Sequence, residues 1–184
     1  MAHDVRRKRG AGSHDLCFVS RFPPAMTADQ LMQKAINIAV THHESQVDRD
    51  GHPHIFHAFR VAEKQETMER KIVAILHDVI EDSESPDIAR SHICEEFQSW
   101  KVIIDAIEAI TRGKDESWNS YYKRVRSNPT ACWVKLADIE DNFSPKRCDL
   151  KISEKYPSYL EEYDKICNTL GVSRTLVFHP PIES

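Results

Sequence analysis

The stretch AILHDVIEDSES (residues 74–85) decides the fold, because it puts four ionisable side chains at the end of an apolar run. The run IVAIL before His77 predicts a helix over about residues 68–82 that is apolar over most of its circumference, as a central helix is. On that helix His77 and Glu81 are four residues apart, and so are Asp78 and Asp82. Each pair is therefore predicted to share one side of the helix, with all four groups at its C-terminal end.

Something must neutralise these side chains, because burying an unpaired charge costs several kcal/mol even after the structure relaxes. A bound cation would do so, and the C-terminus of a helix also favours positive charge. The alternative is a pair of surface salt bridges at a fraying helix end, together with one hydrogen-bonded core histidine. This helix taken alone supports the two interpretations equally.

Two distant segments also place an ionisable side chain within an apolar stretch. His57 lies on the apolar face of a predicted helix, where a lone histidine is more often a hydrogen-bonded core residue than a ligand. In WVKLADIEDN (residues 133–142), Asp138 follows an apolar run, and Asn142 comes four residues later on the same face. The alternative role of Asp138 is a salt bridge to Lys135, three residues earlier.

The rest of the chain predicts helices. A capping box begins the first at Thr27, with Met32, Ile36, Ala39, Val40 and His43 on its apolar face. The full set of predicted helices covers about residues 27–43, 55–65, 68–82, 85–97, 99–113, 115–127, 129–142 and 157–171. No convincing strand and no internal repeat is visible. The prediction is an all-α, single-domain bundle of about seven or eight helices.

Composition narrows the class of protein. The chain has 184 residues and only five glycines, and the low glycine count argues against a sheet-and-turn fold. Its formal net charge of −4 does not favour binding to nucleic acid. Its five cysteines are scattered without a C-x-x-C pair, which suits a reducing, cytoplasmic compartment. No apolar run approaches the ~20 residues of a membrane span, and none follows the basic RRKR to make a secretory signal.

Three segments are expected along the chain. Residues 1–25 are predicted to be a poorly ordered lead-in, residues 26–172 the folded domain, and residues 173–184 a tail. The basic RRKR lies in the lead-in and is the only feature that suggests nucleic acid, so no nucleic-acid partner is expected.

Five segments together resemble a known family: THHESQ (41–46), GHPHIFHAFRVA (51–62), AILHDVIEDS (74–83), YYKRV (121–125) and VKLADIEDN (134–142). Their ordered set resembles the HD-domain metal-dependent phosphohydrolases, and is most similar to the hydrolase domain of the RelA/SpoT-type alarmone enzymes and their small stand-alone relatives. The resemblance covers about residues 27–170. It implies an HD-type helical bundle and a hydrolase without a synthetase half.

The resemblance implies a role for each matching residue. The metal ligands would be His57, His77, Asp78 and Asp138, a mixed nitrogen and oxygen set that suits Mn²⁺, with Fe²⁺, Zn²⁺ or Ni²⁺ as alternatives. Glu81 and Asp82 would orient and deprotonate the attacking water. The implied substrate-binding residues are Asn142 near the sugar and phosphate, Tyr122 (or Tyr121) with Arg124 in a Y-x-x-R segment, Lys135 and Arg49. Plain helix packing is the alternative for the tyrosines, and His43 also matches a family position.

Departures from the family pattern fall around the base-recognition positions. The alarmone hydrolases carry Arg-Lys before the Gly-x-Pro turn, and that Arg packs on guanine, whereas this chain has Asp48 and Arg49. An aspartate there would repel an anion, unless Arg49 compensates through a shifted loop. The family's Tyr before the first metal histidine is His54 here. The Pro after that histidine is Ala58, and the Arg after the distal aspartate is Ile139.

Three functions follow as hypotheses. The first is a nucleotide phosphohydrolase that releases pyrophosphate from a (p)ppGpp-type 3′-diphosphate. The second is an HD phosphatase for another nucleotide or phosphate monoester, which Asp48 favours. The third is a non-catalytic nucleotide-binding regulatory module, against which Glu81 and Asp82 argue. The expected partner is a small-molecule nucleotide or phosphate, with no membrane, and a homo-oligomer is left open.

Overall fold

The computed structural model describes residues 26–48, 51–144 and 150–173. Within these ranges the chain forms eight α-helices, and the only β pairing is an isolated bridge between Val47 and Pro53. The helices are α1 (Ala28–His42), α2 (Ile55–Glu63), α3 (Met68–Leu76), α4 (Pro86–Glu96), α5 (Lys101–Ile110), α6 (Trp118–Arg126), α7 (Pro129–Asn142) and α8 (Leu150–Leu170). The predicted all-α bundle is confirmed.

The three-segment division stays a prediction. The lead-in (residues 1–25) and nearly all of the tail fall outside the described residues, as does Arg49. Among the helices that are described, none combines the length and the apolar character needed to cross a membrane.

Helix α3 is the centre of the bundle and packs against α1, α2, α5 and α7. All five residues from Ile72 to Leu76 are buried, so the helix has no solvent-facing side over this stretch. A helical segment that is apolar on all sides can bury its side chains only if other elements surround it, and the four neighbouring helices do so. The buried segment continues through Val79 and Ile80, and thereby carries the polar residues between them into the core.

Local signals set several helix boundaries as predicted. The hydroxyl of Thr27 accepts a hydrogen bond from Gln30 N at 3.2 Å, and the Gln30 side chain accepts one from Thr27 N at 2.8 Å, which completes the capping box. Asn128 caps α7 by accepting from Ala131 N at 3.0 Å. Gly171 follows α8 with φ +66°, a conformation that glycine adopts without steric cost.

The predicted helix over residues 68–82 is wrong beyond Leu76. His77 is the C-cap residue of α3, and residues 77–81 form turns, followed by a bend at Asp82, rather than α-helix. The His77 ring bonds the Ala74 carbonyl at 2.8 Å, and this carbonyl would otherwise accept the next helical hydrogen bond. The predicted stacking of His77 with Glu81 on an α-helix therefore does not occur, although Asp82 N still bonds Asp78 O at 2.9 Å.

Three further predictions need correction. The buried stripe of α1 is Leu31, Ala35, Ile38 and Ala39, whereas Val40 is 50% exposed, so the apolar face was placed to one side of the true one. Helix α5 ends at Ile110, before the Gly113 that was expected to close it. Helix α8 begins at Leu150, before the predicted start at Pro157, which lies inside the helix.

Candidate metal centre

Four side chains from three parts of the bundle meet at one point. His57 comes from α2, His77 and Asp78 from the turn after α3, and Asp138 from α7. His57 Nε2 lies 3.1 Å from Asp138 Oδ1 and 3.6 Å from Asp78 Oδ2. His77 Nε2 lies 3.0 Å from Asp78 Oδ2 and 3.8 Å from Asp138 Oδ1. The structure thus brings together all four residues that the resemblance marks as ligands.

The geometry of this group fits a divalent cation. Two ligands that are each ~2.1 Å from a tetrahedral ion lie about 3.4 Å apart, close to the separations seen here. His77 donates from Nδ1 to the Ala74 carbonyl, so in the neutral ring Nε2 carries the lone pair, and this buried Nε2 has no hydrogen-bond partner. The ligand atoms of His57, His77 and Asp138 all lie within 4.8 Å of one another, and all three residues are buried. Such a set can hold a metal ion.

The electrostatics point the same way. Burial by itself lowers the pKa of His77, but the carboxylates of Asp78 and Asp138 raise it well above its usual value. Burial raises the pKa of Asp138, but the Lys135 ammonium, with Nζ 2.6 Å from Oδ2, holds it well below its usual range. The neighbouring His77 likewise holds the pKa of the partly exposed Asp78 well below its usual range, against the effect of burial. Both carboxylates therefore stay negative and attract positive charge to the space between them.

A second group of residues orients the first. Asp141 Oδ2 lies 2.7 Å from His57 Nδ1, which directs Nε2 of the same ring toward Asp138. Arg60 donates to both oxygens of Asp141, at 2.8 Å from Nε and 3.2 Å from the guanidinium terminus. Asp141 and Arg60 are not among the residues predicted from the sequence. A signal for Asp141 was present, because it follows Asp138 by three residues and so lies near it on α7.

Asp138 also holds two residues that face the cleft. Lys135 donates to Asp138 Oδ2 and Asn142 to Asp138 Oδ1, each at 2.6 Å. The salt bridge that was offered as an alternative role for Asp138 is therefore present together with the histidine contacts. Each carboxylate oxygen has its own set of neighbours.

Glu81 and Asp82 lie beside this group and line the same cleft. Glu81 Oε2 accepts a hydrogen bond from Arg112 N at 3.0 Å, and burial raises its pKa. Burial and the neighbouring Asp78 carboxylate raise the pKa of Asp82 to about 6. Two carboxyl groups near the cation position can thus accept a proton.

The cleft has a volume of about 270 Å³. Its described lining contains five carboxylates, three aromatic side chains and one lysine, apart from histidines. The carboxylates are Asp48, Asp78, Glu81, Asp82 and Asp138; the aromatic residues are Trp118, Tyr121 and Tyr159; the lysine is Lys135. An anionic ligand would be repelled from such a lining, so phosphate binding here requires added positive charge.

Two predicted substrate-binding residues lie away from the cleft. Tyr122 stacks on Trp118 with ring centroids 5.9 Å apart and lines a neighbouring cavity. Arg124 pairs with Glu116 and donates to the Thr111 carbonyl at 3.0 Å, and these three residues line a separate cavity. Tyr121, the other tyrosine considered, does line the cleft and donates to the Ile110 carbonyl at 2.8 Å.

Asp48 has a structural role that the sequence did not indicate. Its side chain is only 3% exposed, and Oδ1 accepts a hydrogen bond from His52 N at 3.0 Å, which ties the turn before α2. Its other oxygen lies 4.0 Å from the Arg60 guanidinium. The carboxylate therefore stabilises the loop. It also lies near Arg60, which bonds Asp141, the residue that orients His57.

Comparison with known proteins supports the fold. No family model matches the chain, and no curated protein matches it. Solved structures do match, and one belongs to a metazoan orthologue of SpoT described as hydrolysing ppGpp and playing a role in starvation responses. It is 17% identical, with a TM-score of 0.56, and the match covers 83% of this chain and 99% of that one. At this identity the likeness establishes the all-helical fold alone.

Proposed function

We propose that this chain is a metal-dependent phosphohydrolase that acts on a nucleotide. The observation that supports the proposal most is the convergence of His57, His77, Asp78 and Asp138, with an unpartnered buried Nε2 on His77, at one edge of a cleft. The fold shared with a protein described as hydrolysing ppGpp agrees with it. The cofactor would be a divalent cation, with Mn²⁺ the first choice for two imidazoles and two carboxylates.

The chain's own residues would divide the work. When bound, the cation lowers the pKa of water and stabilises charge on a phosphoryl oxygen. Glu81 and Asp82 would orient the attacking water and accept its proton at a carboxylate oxygen, which is worth roughly 10²–10⁴-fold in rate. Lys135 and Asn142, held by Asp138, would contact the phosphate and sugar.

The substrate class is proposed from the cleft lining. Trp118, Tyr121 and Tyr159 offer aromatic surface beside the charged end, which suits a ligand with a base at one end and phosphate at the other. The specific proposal is an alarmone of the guanosine tetraphosphate type. Water would attack the phosphorus bonded to the ribose 3′ oxygen, that P–O bond would break, and the 3′ oxygen would gain a proton as pyrophosphate leaves.

Asp48 supports a second candidate, a phosphatase for another nucleotide or a phosphate monoester. The alarmone hydrolases have an arginine at this position, whereas here a buried carboxylate lines the cleft. Asp48→Arg would break the turn, so Asp48→Asn is the better test, because an amide oxygen can still accept from His52 N. A gain in alarmone hydrolysis by Asp48→Asn would indicate that the native substrate is a different one. A non-catalytic nucleotide-binding module is the third candidate.

A release assay tests these proposals. Metal-stripped protein is reloaded with Mn²⁺ and incubated with guanosine tetraphosphate, ordinary nucleotides and simple phosphate monoesters, and both phosphate and pyrophosphate are measured. Pyrophosphate from the alarmone supports the specific proposal, and phosphate from another compound supports the second candidate. Tight nucleotide binding without any release would contradict hydrolysis and establish the binding module.

A matched pair of variants tests the site. Asp78→Asn removes a proposed ligand charge, whereas Asp87→Asn makes the same change at a fully exposed side chain on α4. We expect Asp78→Asn to lose metal and turnover together, and Asp87→Asn to keep both. Turnover retained by Asp78→Asn would contradict the proposed site.

A further inference from the structure

A second set of ligand atoms lies directly beside the first. His54 Nε2 is 3.4 Å from Asp78 Oδ2 and 3.5 Å from Asp82 Oδ2, and the ligand atoms of these three residues all lie within 4.8 Å of one another. These separations resemble those of the first set. Asp78 Oδ2 faces His54 on one side and His57 and His77 on the other, so it belongs to both sets.

We propose that His54, Asp78 and Asp82 bind a second divalent cation, so that the chain carries a two-metal centre bridged by Asp78. One imidazole and two carboxylates form an oxygen-rich set, which suits Mn²⁺ or Mg²⁺. The second site rests on the proposed first one, because the two share Asp78. It depends on His54, a residue at which this chain departs from the family that it resembles.

The surroundings of the His54 ring support a bound cation at the second site. Its side chain is 17% exposed, and its Nε2 is buried without a hydrogen-bond partner, although two carboxylate oxygens are close. Hydrogen bonds to a ring nitrogen have lengths of 2.7–3.2 Å, shorter than the 3.4 and 3.5 Å found here. The three groups thus point at a common space without bonding one another, as ligands around an ion do.

A neighbouring histidine, His43, has a ring nitrogen in the same state. It is 5% exposed, and its Nε2 is also buried and without a hydrogen-bond partner. Gln46 fixes its tautomer: the Gln46 amide nitrogen donates to the Asp82 carbonyl at 2.8 Å, so the amide oxygen must accept from His43 Nδ1 at 2.7 Å. The lone pair is therefore on Nε2, and the His43 ring lies 4.7 Å from the His54 ring.

The charge of the cleft gives a reason for two cations. Five carboxylates and one lysine line its described part, and that lysine is already paired with Asp138. One divalent ion would leave the lining negative, whereas two would nearly balance it and let a phosphate approach. With Asp82 bound to the second ion, Glu81 would be the carboxylate that remains to accept the proton of the attacking water.

Metal stoichiometry tests the second site without relying on activity. The full chain is stripped with a chelator, reloaded with excess Mn²⁺, desalted and analysed for manganese per chain. We expect about two ions for the wild-type chain and about one for His54→Phe or Asp82→Asn. The matched control His52→Phe changes an exposed histidine on the same turn, 65% exposed, and should keep two. Circular dichroism verifies that each variant retains its helices.

Electron paramagnetic resonance provides a second readout. Two Mn²⁺ ions bridged by one carboxylate couple, which broadens the signal, and His54→Phe should restore the resolved hyperfine pattern of an isolated ion. One manganese per chain in both wild type and His54→Phe would overturn the second site and show a hydrogen-bonded His–Asp cluster only. If the wild-type chain binds one ion and still turns over substrate, only the proposed second site is contradicted. If it binds two ions but hydrolyses no substrate, only the proposed function is contradicted.

Discussion

Asp138 joins every part of the candidate site at the scale of a single residue. One of its oxygens faces the two histidine Nε2 atoms, and the other is paired with Lys135. The Asn142 amide is bonded to the histidine-facing oxygen as well. Since this carboxylate is 4% exposed, its charge is screened little by solvent, and any change to it alters the ligands and the cleft together.

Asp141→Asn tests the residue that orients His57. Asparagine has the same size as aspartate but lacks the negative charge with which Asp141 binds both the His57 ring and Arg60. We therefore expect Mn²⁺ affinity to fall by about 10–100-fold. Calorimetric titration with Mn²⁺ measures this. Glu140→Gln is the matched control, because Glu140 is adjacent but bonds Lys64 and Tyr163. Equal affinities in the two variants would show that Asp141 does not position the ligand.

Glu81→Gln separates proton transfer from metal binding. The amide cannot accept a proton at neutral pH, so kcat should fall by roughly 10²–10⁴-fold while the manganese content of the protein is unchanged. Glu84→Gln, an exposed change in the following segment, should leave both unaltered. A loss of metal from Glu81→Gln would mean that this residue is a ligand and that its proposed role is wrong.

At the scale of the element, α3 couples the core to the site. The helix is buried along its last five residues, and the chain then leaves the α-helical path at His77, which carries His77 and Asp78 from the core to the edge of the cleft. The hydrogen bond of His77 to Ala74 stabilises this departure. The site is therefore only as rigid as the packing of α3.

Leu76→Ala tests that coupling. Leu76 has no exposed surface, and its truncation should lower the free energy of unfolding by about 2–5 kcal/mol, measured by urea denaturation. Val102→Ala on α5 is the control, since Val102 is 51% exposed and should change stability by about 0.5 kcal/mol or less. Similar losses in the two variants would mean that α3 is not the centre of the core.

Short-range patterns predicted most of the helices. The early end of α3 was not predicted, because a side chain there competes for a backbone carbonyl. The capping box at Thr27 acts within four residues, so the sequence alone located the start of α1. The end of α3 depends on a histidine ring that bonds a carbonyl in the core, which hydrophobic spacing cannot reveal. The resemblance predicted that His57, His77, Asp78 and Asp138 lie together, and the structure brings them together. The buried role of Asp48 could not be predicted, because it depends on the loop geometry.

At the scale of the whole molecule, the proposed metal binding would be coupled to folding. The proposed ligands come from α2, α7 and the turn after α3, so only the folded chain assembles them. Mn²⁺ at 100 times its Kd should stabilise the protein by about 2.7 kcal/mol, which raises Tm by about 5–10 °C for a chain of this size. Thermal unfolding with and without a chelator measures the shift. The same comparison on His57→Ala should show almost none, and an equal shift there would place the stabilising ion elsewhere.

Under the proposed function, hydrolysis depends on the ion that these four residues would hold. The most direct test measures manganese content and phosphate or pyrophosphate release on one preparation, before chelation, after it and after reloading. We predict that release disappears with the metal, returns with Mn²⁺ and is absent from His77→Ala at every stage. Release that persists in the metal-free protein, or a fully loaded protein that hydrolyses none of the nucleotides and phosphate esters, would contradict the claim.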